Sequence, residues 1–238
     1  MLLVQFAQPM PLTRFIQVYI VQGLYGLFYI YMAILILNKD RKRMNQLLSG
    51  FYLSVGIGVI INIIYAGIYI ELIVEVLHFM TYFLFCFALC FLLLFILLLS
   101  KSEDIITTTR QIAIMVTFAI LLLFLLLIPN GFNVNSSTEW VPVWNPLFLL
   151  HAAIICVCVA IIPSLYFARA LLKKFENEDL KKKWKYFILG ISSYFFVWTI
   201  TSFSNTLNIA SFRMITAILT VCTIPSVYLI YYGVGKQL

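Results

Sequence analysis

Few residues in this sequence can do chemistry, and most of them are set among long apolar runs where ionisable groups are costly. Glu71, Glu75, His78 and Tyr82 recur at i, i+4, i+7 and i+11. At helical pitch they fall within about 60° of one another and form one polar stripe. A second set, Tyr194, Thr201, Asn205 and Asn208, shares another helical face, with Trp198 beside it. Thr216, Thr220 and Thr223 share a third, while Asn62 and His151 stand on two further apolar segments. A carboxylate and an imidazole one turn apart can pair with each other and with an amide such as that of Asn205. If Glu75, His78, Asn205, Thr220, Asn62 and His151 turn towards one another, they line an outward-opening cavity for a small ligand. If they do not, they are interhelical hydrogen bonds worth under about 1 kcal/mol each. His78 and His151 are at similar depth and could share a metal with a carboxylate. With two histidines in the whole chain, packed imidazoles are the expectation, and neither metal nor cofactor is expected.

Several reaction classes lack their reacting groups. A retinal protein needs a Schiff-base lysine in its last helix, and the last apolar run has none; Lys236 follows it. Seven-helix zinc hydrolases need three histidines and an aspartate. G-protein-coupled receptors carry an acid-Arg-aromatic triplet where this chain reads LLSKSED, and Ile224 stands in place of the asparagine that precedes Pro225 in their last helix. No nucleophile-base pair, phosphate loop or metal motif is found elsewhere. The expectation is a protein that is not an enzyme.

The elements that must position these residues follow from composition. Of 238 residues 63% are apolar and 11% charged, with mean hydropathy +1.04. A water-facing surface needs roughly 25% charged residues, so the main solvent is lipid. Apolar windows fall near 15–37, 47–70, 74–99, 112–128, 147–172, 186–209 and 212–233. At about 20 residues per span they give an all-α integral membrane protein, a single seven-helix bundle over 1–238 with no soluble domain. Lys39, Arg41, Lys42 and Arg43 follow the first span, Lys101 and Arg110 the third. Arg169, Lys173, Lys174, Lys181, Lys182, Lys183 and Lys185 surround the loop after the fifth, and Lys236 follows the last. Only Arg14 and Arg213 of the 16 bases fall on the other side. The positive-inside rule puts the N-terminus outside and the C-terminus in the cytoplasm, consistent with a multi-pass plasma-membrane protein.

The net charge of +7 is thus a matter of orientation, and no nucleic-acid partner is expected. The six lysines around the fifth-to-sixth loop are candidates to meet a cytoplasmic partner or anionic lipid. All five cysteines lie in apolar runs, away from the polar fourth-to-fifth loop, which argues against a disulfide framework. The chain opens without a cleavable leader pattern. Trp140, Trp144 and Trp184 are placed as interfacial anchors, and Asn135-Ser136-Ser137 fits the glycosylation triplet.

The fifth and seventh spans echo one another, IIPSLY at 161–166 and TIPSVY at 223–228, and each proline should kink its helix. A 3+1+3 arrangement with the fourth span as linker is compatible with the echo. LKKKWKYFILGISSYFF, Leu180 to Phe196, and TIPSVYLIYYGVGKQL, Thr223 to Leu238, preceded by EWVPVWNPLFLL, resemble the N-terminal seven-helix sensor region of bacterial and archaeal histidine kinases. There a basic stretch enters a span through Leu-Gly, here Leu189-Gly190, and the last span ends in a Pro, small-residue and aromatic pattern. The resemblance implies a membrane sensor that passes a signal to the cytoplasm. The family continues into a coiled coil and kinase where this sequence reaches Leu238, so the expectation is output through a separate signalling protein, or loss of the transmitter. The expectation is a receptor-like sensor for a small or lipidic ligand; the alternative is a small-solute transporter or channel, and either could be oligomeric. A reporter fused after Leu238 should be active in the cytoplasm and one at Ser136 outside; an external C-terminus would overturn the span count.

Overall fold

A computed structural model describes residues 15–101, 104–222 and 224–235; Arg14, Thr223 and Lys236 lie outside the described residues. The described chain is 85% helical. Helix α1 begins as a π-helix, Ile16–Gln22, and continues as Gly23–Lys39. It is followed by α2 (Arg43–Ala66), α3 (Glu71–Lys101), α4 (Thr108–Leu127), α5 (Pro146–Leu172) and α6 (Glu178–Leu207). These six are long and apolar enough to cross a membrane. A bent pair, Ala210–Val221 and Ile224–Val234, meets at 41° and makes a seventh if counted as one span, α7. The only sheet among the described residues is a two-stranded antiparallel hairpin in the α4–α5 loop, β1 (Phe132–Asn133) against β2 (Val143–Trp144).

Helices α2 and α6 begin well before their apolar windows. Hydropathy sees the stretch that lipid solvates, whereas a helix runs until something caps it. The cap of α6 is Asn177, whose side-chain oxygen accepts from the Asp179 and Leu180 N–H groups at 2.9 and 3.1 Å. The EDLKKK segment therefore belongs to the helix. Both prolines follow a departure from α geometry: Pro163 comes after the π-helical stretch Ile154–Ile161, and Pro225 after the break in α7. A wider turn accommodates the hydrogen bond that proline cannot make.

Helix α2 packs between α1 and α3, and α6 between α5 and α7, while α4 lies against α3 at the edge. Burial follows that plan: 56% of the α2 and α3 windows and 50% of α6 are buried, against 22% of α4. Two tyrosines join the trios. Tyr52 of α2 donates to the Val227 carbonyl of α7 at 2.9 Å, and Tyr194 of α6 donates to the Phe85 carbonyl of α3 at 3.0 Å. The sequence step from Tyr52 to Tyr194 equals that from Phe85 to Val227, so the contacts are reciprocal. The Phe51 ring meets Tyr194 edge-on at 5.1 Å between them. The Val227 carbonyl that Tyr52 reaches lies one turn before Tyr231–Gly235, where α7 turns π-helical.

Glycine sets the approach of α6 to α7. A Cβ on Gly190 would stand 2.7 Å from the Ser226 carbonyl and 2.6 Å from Ile230 Cγ1, a backbone contact that cannot yield cheaply. Trp184, expected at the interface, is instead buried, and its indole N–H donates to the Ala168 carbonyl of α5 at 2.8 Å.

Gly190→Val should lower the detergent melting temperature sharply, by a cost of order 1–3 kcal/mol for overpacking. Gly23→Ala, whose nearest neighbour is 4.0 Å away, should be neutral. Tyr52→Phe and Tyr194→Phe should each cost about 1 kcal/mol.

Candidate functional site

The polar stripe read from the sequence is the edge of α3 at the end covered by the α4–α5 loop, residues 128–145, which forms a cap over the bundle. At 31 residues, α3 is about 46 Å long at 1.5 Å per residue, more than a bilayer core requires. Its first turns stand beside the α4–α5 loop. Asn135 holds the loop together: its side-chain oxygen accepts from the Ser137 and Thr138 N–H groups, and the Thr138 hydroxyl accepts from the Asn135 N–H at 3.0 Å. The other end of the same side chain, Nδ2, donates to Glu71 at 2.9 Å. This is the nitrogen that glycosylation would modify. One turn on, the Val134 N–H faces the Glu75 carboxylate. Glu71 and Glu75 also border a groove of about 330 Å³ with Asn130 and Asn133.

His78 completes the latch from below. It is buried, and both ring nitrogens are occupied: Trp144 donates its indole N–H to Nε2 at 3.1 Å, and Nδ1 lies 3.0 Å from the Tyr65 hydroxyl. An indole can only donate, so Nε2 holds a lone pair and the proton of the neutral ring is assigned to Nδ1, facing Tyr65. Around this pair the hairpin inserts its rings. Phe132 meets His78 at 5.3 Å, and Trp144 meets Tyr82 at 4.7 Å and Phe148 at 5.2 Å. Trp144 is thus a buried plug, not an interfacial anchor; Trp140 remains half-buried in the loop against Tyr69. Glu139 and Trp140 both have positive φ, 53° and 59°, a strained corner of order 1–3 kcal/mol per residue.

The six residues expected to line one cavity separate into five places. Glu75 and His78 hold the cap. Asn62 pairs with Gln22 of α1. His151 is exposed and bonded to its own helix, at the Leu147 carbonyl, 2.8 Å away, so the two histidines share nothing. Among the described residues no group of three potential metal ligands forms. Thr220 bonds back to the Thr216 carbonyl at 2.9 Å. Asn205 is reached not by Glu75 or His78 but by Arg213.

Arg213 is the residue that sequence reasoning passed over as a topology marker. It donates to the Pro142 carbonyl of the cap at 2.7 Å, to Asn208 at 3.0 Å and to Asn205 at 3.4 Å. All three acceptors are neutral, and among the described residues no carboxylate is in ion-pair reach. Its Nε is buried without a partner, as are Trp198 Nε1 and the Tyr82 hydroxyl. Tyr82 has only the Cys86 thiol, a poor acceptor, beside it. Three of the five such side-chain atoms among the described residues thus belong to the cap-end half, and Tyr82 and Trp198 stack there at 6.5 Å.

Compared with known proteins, the chain matches no family model, no curated protein and no solved structure.

Trp144→Phe should keep the aromatic plug while removing the bond to His78. Amide exchange over residues 128–145 is expected to rise about tenfold, the effect of losing one net hydrogen bond, with the spans unchanged. Unaltered exchange would mean that packing alone holds the cap.

Proposed function

We propose that the protein is a non-enzymatic, receptor-like membrane sensor with seven spans, cap outside and basic end in the cytoplasm. Its ligand is a small or lipidic molecule rich in hydrogen-bond acceptors, received below the cap. The observation that carries this reading is the set of unpartnered buried donors, Arg213 Nε, Trp198 Nε1 and Tyr82 Oη. Buried donors without acceptors cost roughly 1–3 kcal/mol each, and a carboxylate or phosphate would relieve that cost. Arg213 joins the cap to the α6–α7 turn, and α7 in turn takes the Tyr52 bond lower down. A ligand that draws Arg213 away from Pro142 would therefore load the helix that leads to the cytoplasmic face. The resemblance to histidine-kinase sensor regions supports the same class.

The reciprocal tyrosine bonds favour a second reading. Two parallel trios with a peripheral linker are the plan of transporters that bind solute at the midplane between repeats.

Thermal shift of the protein in nanodiscs, against matched panels of small carboxylates, phosphates and uncharged isosteres, tests the first reading. Acceptor-rich anions should raise the melting temperature, and Arg213→Gln or Trp198→Phe should abolish the rise. Indifference to every anion, or a rise that survives both substitutions, overturns the site. Uptake of a stabilising compound by proteoliposomes would favour the second reading over the first.

A further inference from the structure

The seam between α5 and α6 at the basic end carries a feature that the proposed function does not use. The indole N–H of Trp184 donates to the Ala168 carbonyl at 2.8 Å, so these residues mark where the two helices touch. The next residue on each helix is turned by about 100°. Because the helices are antiparallel, the two rotations run in opposite senses when viewed from one end, and Arg169 and Lys185 project to the same side of the seam. Both are exposed, and neither has an ion-pair partner among the described residues. The acid nearest in sequence to Lys185 on α6, Asp179, is followed by Lys181, which already pairs with Glu178 at 3.0 Å. Above the two bases, on the same side, stand Ile162 and Leu189, 55% and 54% exposed. Cations below and apolar side chains above describe one kind of occupant.

The geometry points to a seat for one anionic phospholipid of the leaflet at the basic end, its phosphate held between Arg169 and Lys185 and an acyl chain lying against Ile162 and Leu189. Arg169 supplies a planar fork that matches phosphate oxygens, and Lys185 a point charge from the facing helix. The site is narrower than the lysine-rich loop as a whole. Lys173 and Lys174 lie beyond the helix end, Lys181 is neutralised, and by the same rotation Lys182 projects away from α5 and Lys183 to the opposite side of the seam.

The test uses the full chain in mixed-lipid vesicles, with spin-labelled phosphatidylglycerol and phosphatidylcholine as probes. The wild type should prefer phosphatidylglycerol, and Arg169→Gln with Lys185→Gln should reduce that preference by on the order of tenfold, as expected for two bases at a charged membrane surface. Arg169→Lys with Lys185→Arg should retain most of it, as should Lys182→Gln. Circular dichroism melting distinguishes a lost seat from a lost fold, and if the double variant melts early, Lys185→Gln alone should still lower the preference severalfold. A preference that survives the double substitution, or that falls equally when Lys173 and Lys174 are replaced, overturns the seat in favour of diffuse loop charge. Displacement of the labelled lipid by millimolar inorganic phosphate would overturn its assignment to a lipid.

Discussion

A tyrosine hydroxyl inside an apolar bundle has no water to turn to and must find its acceptor in the protein. In this fold the acceptors are helix carbonyls on the opposite trio, and the positions of most other elements follow. With Tyr52 on Val227 and Tyr194 on Phe85, α2 must face α7 and α6 must face α3. Helix α5 packs directly against α3 as well, and α1 and α4 take the flanks. A helix carbonyl already bonded along its own chain still has a second lone pair, so the link needs no break in the helix that accepts it.

The same constraint explains the cap. The α4–α5 loop carries backbone groups that lipid cannot satisfy, and the first turns of α3 supply what it lacks: acceptors in Glu71, Glu75 and the Nε2 of His78. Asn135 Nδ2 donates to Glu71 and the Trp144 indole to His78. The loop can then place Phe132 and Trp144 deep among the helices. The polar stripe and the aromatic plug are two halves of one arrangement.

Much of this was legible in the sequence, because spacing alone fixes which residues of a helix share a face. Glu71, Glu75, His78 and Tyr82 do share one. What they meet was not legible, since the partners come from an aperiodic loop and spacing says nothing of where a loop returns. Tryptophan misled for a related reason. Its ring and single donor suit an interface or a core equally, and at Trp144 and Trp184 an internal acceptor decided the matter. Arg213 was hidden by its ordinariness, as a lone base near a helix start. A signal existed in its spacing, five residues after Asn208 and eight after Asn205 across a tight turn, close enough for a guanidinium to reach both amides.

The edge position of α4 has a consequence in parity. Three successive antiparallel helices return the chain to the end opposite the one where it started, so a second trio entered directly would be upside down relative to the first. Its tyrosine would then meet the wrong helix at the wrong depth, and no reciprocal pair could form. One further helix, lightly packed and giving only Phe118, Leu122 and Leu125 to the core, resets the direction. Helix α4 is therefore answerable for the orientation of the second trio more than for its stability, and its composition can drift while its existence cannot.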